Sequence, residues 1–146
     1  MAITQAMCTS FKSELMQAVH NFKTTGGNTF KLALYTTAAT LGATTAAYAT
    51  GLAGQVTSTN YTAGGAALVK TTGFPASSGT TAITDFINLT FSNVTIAARG
   101  CLIYNDTNAD KAVATIDFGG VKSSTSGDFT VQFPTANATG AIIRIA

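Results

Sequence analysis

Residues Gly100–Phe118 have the sequence GCLIYNDTNADKAVATIDF, and we expect the rest of the chain to fold around them. Two apolar, β-prone runs flank a loop of Asn, Asp and Thr, which is the pattern of a β-hairpin. The first run, Cys101–Tyr104, is apolar throughout and predicts a strand covered on both faces. The second run alternates between two faces, with Val113, Thr115 and Asp117 on one and Ala114, Ile116 and Phe118 on the other. The hairpin is therefore predicted to be the centre of a sheet, and it carries no recognisable chemistry.

The composition predicts one domain with an unusually uncharged surface. A chain of 146 residues is long enough to bury a core of its own and is expected to form a single β-rich domain, 1–146. Only 10% of the residues are charged, against about 25% in ordinary globular domains. Such a surface suits a protein that packs against copies of itself or against partners. The alternative is the neutral, Thr-rich surface of a free β-protein.

The distribution of charge argues against one class of partner, nucleic acid, and the cysteines indicate a reducing compartment. The eight basic residues form no stripe along the chain: Lys12, Lys23, Lys31, Lys70, Arg99, Lys111, Lys122 and Arg144. Nucleic-acid binding through the phosphate backbone is therefore not expected. Cys8 and Cys101 are far apart and predict two small buried residues in a chain that folds in a reducing cytosol. Because the sequence shows no signal peptide and no run of about 18 apolar residues, we expect no membrane association.

One amphipathic helix is predicted near the N-terminus, over about residues 9–22. Apolar residues recur there at helical spacing: Phe11, Leu15, Ala18, Val19 and Phe22. Either Thr9 or Ser10 is suited to be the N-cap residue. A turn over residues 24–28 would end the helix, which we expect to pack on the sheet.

The remaining pattern is that of successive strands. Thr29–Thr36 alternates apolar and polar side chains and predicts a half-buried strand. Further strands are predicted at Ala67–Phe74, Thr81–Phe91 with a break near Asn88, Val94–Ala97, Asp128–Phe133 and Ala141–Ile145. The pair Gly119–Gly120 predicts a turn or a bulge. Together these elements predict a mainly β fold, an antiparallel β-sandwich or open barrel with one N-terminal helix packed on it.

Residues 37–65 predict an extended loop that serves as an interaction region. The segment is rich in Ala, Thr and Gly, and it would be long for a connection inside a compact domain. Isolated apolar and aromatic residues punctuate it. We expect three of these, Tyr48, Leu52 and Tyr61, to be partner-interface residues, ringed by Thr and Ser.

The sequence lacks the pattern of a catalytic or zinc site. His20 is the only histidine, and it is expected inside the helix with no Ser or Cys nucleophile motif to recruit it. Cys8, Cys101 and His20 include no C-x-x-C pair of the kind that zinc sites use. We therefore expect no enzyme activity, no catalytic residue and no cofactor.

The acidic residues of the hairpin also have an ordinary structural interpretation. Asp106, Asn108 and Asp110 have a spacing that weakly resembles a calcium loop, but Lys111 stands where that motif needs glycine. An Asx-rich hairpin turn explains the same residues. Asp117, in the middle of a predicted strand, is expected to pair with Arg99 or with a turn amide.

Four blocks of the sequence together resemble a family of small virion proteins of tailed bacteriophages. The blocks are Ser10–Leu15 with His20–Phe22, Thr29–Tyr35 with Ala39–Tyr48, Tyr61–Gly65, and Arg99–Asn105 with the ending Phe129–Ala146. They cover nearly the whole chain in the same order, although Gly51–Gly54 replaces a more polar stretch. The resemblance carries no catalytic motif and implies a structural protein of the virion, with capsid decoration (cement) as its role.

These expectations combine into one functional hypothesis and two rivals. The first is a protein that binds the major capsid protein on the outside of the head, as a homo-oligomer and specifically a trimer on a symmetry axis. Such a protein would be assembled in the cytoplasm of the bacterial host and would end in the virion. The main rival is a tail, baseplate or fibre component, including a receptor- or carbohydrate-binding module. An enzyme such as a cell-wall hydrolase has the least support.

Overall fold

The computed structural model describes residues 2–146, which form two antiparallel β-sheets and one short helix. The elements in chain order are β1 (Ala6–Met7), α1 (Thr9–Met16), β2 (Phe30–Tyr35), β3 (Ala66–Ala67), β4 (Ala76–Ser78), β5 (Thr81–Thr84), β6 (Leu89–Asn105), β7 (Lys111–Val131) and β8 (Ile143–Ile145). The first sheet has the order β1-β7-β6-β2-β3 and the second the order β4-β5-β8. The mainly β fold with one helix, consistent with a sandwich or open barrel, is confirmed.

The predicted hairpin is the centre of the first sheet. Strands β6 and β7 pair from Asn105–Lys111 at the loop to Leu89–Val131 at the far end. Residues Cys101–Tyr104 are all buried, as their apolar run predicted. Both strands are longer than the sequence indicated, since the predicted strand Val94–Ala97 and most of Asp128–Phe133 belong to this one hairpin.

A bulge interrupts the hairpin where two adjacent glycines indicated a turn or a bulge. Ala98 pairs with Lys122 and Gly100 with Asp117, so four residues of β7, 118–121, lie opposite Arg99 alone. Gly119 allows the bend because its φ is +76°. Arg99 binds Asp117 across the bulge through two hydrogen bonds, Nε to Oδ1 at 2.7 Å and Nη2 to Oδ2 at 2.9 Å. Oδ1 of Asp117 also accepts from the amide of Gly119 at 2.9 Å, so both of the expected partners, Arg99 and a turn amide, are present.

Strand predictions outside the hairpin are confirmed only in part. The strand predicted at Thr29–Thr36 is β2, but it is buried on both faces and not half-buried, since Ala33 and Tyr35 are buried as well as Phe30. The segment Thr81–Phe91 is broken before Leu89, as expected. The strand predicted at Ala67–Phe74 is wrong, because only its first residue lies in β3. After that the chain makes isolated pairing with residues 85–87 and then turns at Gly73, whose φ is +89°. The last strand is shorter than predicted, Ile143–Ile145.

The helix is shorter than the predicted range 9–22. It has eight residues, its N-cap is Cys8 in place of Thr9 or Ser10, and Phe11 is its one buried residue. The helix ends because Ala18 takes a left-handed φ of +59°. Phe22 still reaches the core, but it does so from an extended segment. The physical reason is tertiary: the backbone after the helix is held by side chains of the central hairpin.

The two faces of the central sheet are covered by different parts of the chain. On one face, Phe30 stacks on Phe22 with ring centroids 4.3 Å apart, and Phe86 packs beside both rings. Tyr104 pairs with Lys31, the neighbour of Phe30 along β2, so its ring lies on the opposite face. There Tyr104 stacks on Tyr48, which belongs to the segment 37–65. That segment therefore covers the face of the sheet opposite Phe30.

Candidate functional site

The segment 37–65 is attached to the sheet through a buried tyrosine cluster, which contains all four tyrosines of the chain: Tyr35, Tyr48, Tyr61 and Tyr104. The rings of Tyr48 and Tyr104 stack with centroids 4.6 Å apart. Tyr104 donates its hydroxyl hydrogen bond to the carbonyl of Gly64 at 2.7 Å. Tyr48 donates to Oε1 of Gln55, which also accepts from the amide of Gly64. The predicted interaction loop is thus ordered against its own chain.

This arrangement corrects two of the three predicted partner-interface residues. Tyr48 is 8% exposed and Tyr61 is 7% exposed, so neither ring is presented to a partner. The hydroxyl of Tyr61 accepts a hydrogen bond from the amide of Leu34 at 2.8 Å and thereby satisfies a buried group of β2. An aromatic residue in a polar loop has the same sequence pattern whether it packs on a partner or on its own sheet. Leu52 is half-buried against the core, and its contact with a partner stays a prediction.

Two tyrosine-to-phenylalanine substitutions are expected to differ in their effect on the free energy of unfolding. Tyr61→Phe strands the buried amide of Leu34, so the free energy of unfolding should fall by about 1–3 kcal/mol. Tyr35→Phe removes a buried hydroxyl that has no hydrogen-bond partner in the described part of the chain, so it should leave stability unchanged or raise it. Urea denaturation of both variants measures the difference. Equal losses in the two would show that the Tyr61 hydroxyl does not support β2.

A second site is the polar cluster, in which two residues are buried and four are partly buried: His20 and Asn105, and Glu14, Asn28, Asn108 and Lys111. His20 lies beyond the helix, not inside it, and its Nε2 is 2.9 Å from Oε2 of Glu14. The other carboxylate oxygen accepts from Nζ of Lys111 at 3.0 Å. Burial opposes ionisation of Glu14, but the hydrogen bonds from His20 and Lys111 outweigh it and lower the pKa of this carboxyl. The cluster joins the helix to the central hairpin.

Hydrogen bonds within the polar cluster occupy both ring nitrogens of His20. Oδ1 of Asn105 accepts from the amides of Thr107 and Asn108, which orients the amide nitrogen Nδ2 toward Nδ1 of His20 at 3.1 Å. His20 Nδ1 is then the acceptor, and Nε2 carries the proton donated to Glu14. A general base needs a free nitrogen within reach of a substrate. The geometry therefore gives His20 a structural role.

The side chains considered as metal ligands or nucleophiles are also engaged in structural contacts. Among residues 2–146, no group of three or more His, Cys, Asp or Glu side chains is placed to hold a metal ion. Asp106 pairs with Lys31 at 3.0 Å, in the Asx turn that the sequence indicated. Burial, and then the charge of Glu14, raises the pKa of Cys8 to about 11, while burial alone raises the pKa of Cys101. Both thiols are free, buried and un-ionised near neutral pH.

Asp85 is a buried carboxyl whose pKa is raised by burial, although hydrogen bonds from the amides of Phe86 and Ile142 act against the shift. Its Oδ2 has no hydrogen-bond partner among residues 2–146. A carboxyl with a raised folded-state pKa stabilises the fold below its unfolded pKa and loses that contribution as pH rises through the folded value. Asp85→Asn should therefore raise the melting temperature at pH 8 and change it little at pH 4. Thermal unfolding across this range tests it, and a pH-independent difference would refute a raised pKa.

The surface feature with the properties of a binding site is an apolar groove of about 380 Å³. One wall comes from the segment around the helix end, with Leu15, Ala18 and Phe22. The other wall is one face of the second sheet, with Ala82, Ile143 and Ile145. Sequence reasoning missed this groove, because it depends on how residues 15–23 lie over the second sheet. Its one sequence signal was the apolar alternation of Ile143 and Ile145.

No family model, no curated protein and no solved structure matches this chain. In the part of the chain that the structure describes, no helix is long and apolar enough to span a membrane. The arrangement of side chains can bind an apolar partner in the groove. The one histidine of the chain has both ring nitrogens hydrogen-bonded, and the two thiols are un-ionised near neutral pH.

Proposed function

We propose that the chain is a non-enzymatic structural protein of a tailed-bacteriophage virion, which decorates the outer surface of the head by binding the major capsid protein. The proposal includes self-association, with a trimer on a symmetry axis of the capsid, after synthesis in the host cytoplasm. The resemblance of the four sequence blocks supports it. So does a fold in which both ring nitrogens of His20 are hydrogen-bonded and both thiols are buried.

The observation that carries the proposal is the low charge of the folded surface. Of the six carboxylates, three are engaged in ion pairs within the chain: Glu14, Asp106 and Asp117. Asp85 is 1% exposed. Asp110 and Asp128 are the remaining two, so little negative charge is left to keep free copies apart. A surface of this kind suits a protein that spends its life packed against other subunits.

Binding to a capsid does not require strong individual contacts. A head offers many identical sites, and an oligomer that engages several of them at once gains affinity through effective concentration. A neutral surface also avoids the desolvation of charged groups, which weakens polar interfaces. A small β-protein with few charged residues can therefore decorate a head through repeated modest contacts.

The test is the copy number of the chain in purified virions, measured on a stained gel calibrated against the major capsid protein. Decoration predicts an abundance comparable to that of the capsid protein. It also predicts that the purified protein binds capsids from which it has been removed. A handful of copies per virion would favour a tail, baseplate or fibre component. Complete absence from virions would overturn the proposal.

A further inference from the structure

We propose that the apolar groove binds an extended apolar peptide segment that carries a carboxylate. The inference rests on the proposed function for the source of that segment, which is the major capsid protein. The groove is built from two parts of the chain that are far apart in sequence, residues 15–23 and the second sheet. It is separate from the tyrosine cluster, and it adjoins the polar cluster through His20.

The second sheet presents one continuous face to the groove. Ala82 pairs with Ile145 and Thr84 pairs with Ile143, and residues directly opposite in a sheet share a face. Ile145 is 48% exposed, although it is large and apolar. An apolar side chain inserted beside it would remove both from water. The groove volume of about 380 Å³ is enough for a few such side chains.

The neighbouring strand favours a peptide over an aliphatic ligand. Within the described residues, β8 pairs only with β5, so its other edge is open. An extended peptide can add to such an edge through its backbone and place alternate side chains in the adjoining groove. An aliphatic chain has no backbone groups to pair with this edge.

The charges around the groove select a carboxylate. Lys23 is exposed and lines the groove, whereas no Asp or Glu of the described chain does so. His20 also lines it, but both of its nitrogens are bonded within the polar cluster. An acidic residue on the bound segment would meet Lys23, while a basic residue would be repelled. The expected ligand is therefore apolar and acidic.

The test compares single variants in binding to capsids stripped of the protein. Ala82→Glu places a charge in the groove, and its matched control is Ala97→Glu, at another exposed strand alanine that lies outside the groove. We expect Ala82→Glu and Lys23→Glu to weaken binding at least about tenfold, and Lys23→Arg and Ala97→Glu to bind as the unmodified chain does. Overlapping 12-residue peptides of the major capsid protein then identify the bound segment, which should contain apolar residues and an Asp or Glu.

The outcomes separate this inference from the proposed function. If the unmodified chain does not bind capsids, the proposed function fails. If it binds and both Ala82→Glu and Lys23→Glu bind equally well, the groove is not the contact and this inference fails alone. A third outcome is that Ala82→Glu abolishes self-association while capsid binding persists. The groove would then bind a second copy of the chain, and the inference would be overturned. Lys23 is exposed, so its variants keep the test valid even if Ala82→Glu does not fold.

Discussion

Gly65→Ala is expected to lower the free energy of unfolding by about 4 kcal/mol, the sum of two independent penalties. Gly65 has a left-handed φ of +77°, which disfavours any side chain. A Cβ there would also overlap the carbonyl oxygen of Leu32 and would lie 2.6 Å from its carbonyl carbon. Both atoms belong to the backbone of β2, so neither can move without breaking the central sheet. Urea denaturation measures the loss, and the variant is expected to be at the limit of folding.

Substitutions at two other glycines separate the backbone penalty from the steric penalty. Gly73 has a φ of +89°, but a Cβ added to it would have no other atom within 4 Å, so Gly73→Ala should cost only the backbone penalty of about 1–2 kcal/mol. Gly51 has neither constraint, and Gly51→Ala should be neutral or slightly stabilising. If Gly65→Ala lowers the free energy of unfolding no more than Gly73→Ala does, then the segment 37–65 does not lie as close to β2 as described.

Asn105→Ala is expected to cost about 3–4 kcal/mol, because it removes several buried or partly buried hydrogen bonds at once. Asn105 is fully buried. Its Oδ1 accepts from the amides of Thr107 and Asn108, and its Nδ2 donates to Nδ1 of His20 and to Oδ1 of Asn28 at 2.9 Å. Alanine replaces none of these bonds. The loss is measured by denaturation at neutral pH.

The matched control is Asn137→Ala. Asn137 forms the same kind of turn, with its Oδ1 accepting from the amides of Thr139 and Gly140, but these hydrogen bonds are exposed to solvent. Water replaces them, so the expected cost is about 1 kcal/mol or less. Similar losses in the two variants would contradict a buried, mutually dependent network around Asn105.

The Asn105→Asp substitution tests the orientation of the network. The new carboxylate oxygen would face two acceptors, the unprotonated nitrogen of His20 and Oδ1 of Asn28. An oxygen at that position donates to neither of them, so both lose a partner and both repel the new charge. Asn105→Asp should therefore destabilise the fold at neutral pH at least as much as Asn105→Ala does. A clearly smaller loss would mean that Asn105 presents its oxygen, not its nitrogen, to His20.

The parts of the fold that the sequence predicted are those decided by the local pattern of apolar residues. Cys101–Tyr104 is buried on both faces, as its continuous apolar run indicated. The alternation in Thr29–Thr36 located β2, but it did not reveal that Ala33 and Tyr35 are buried too. The helix end was not predictable in the same way. Phe22 keeps helical spacing with Phe11, yet the chain leaves the helix at Ala18 because the hairpin binds the backbone beyond it.

The candidate sites show the same division. Sequence reasoning found Tyr48 and Tyr61 as anchors of the segment 37–65, but it assigned them to a partner because it could not know that Tyr104 and Leu34 would be their neighbours. It also placed His20 in a helix. The contacts that give His20 its role come from Asn105, which is 85 residues away in the chain. Long-range contacts of this kind leave no local pattern.

The β class of the protein, its central hairpin and its low content of charge follow from the sequence, because each depends on local patterns or on composition. The position of the helix end, the inward direction of the tyrosines and the apolar groove between residues 15–23 and the second sheet follow from the folded chain. These features arise where distant segments meet. Their energies depend on burial and on hydrogen-bond partners, and both exist only once the chain has folded.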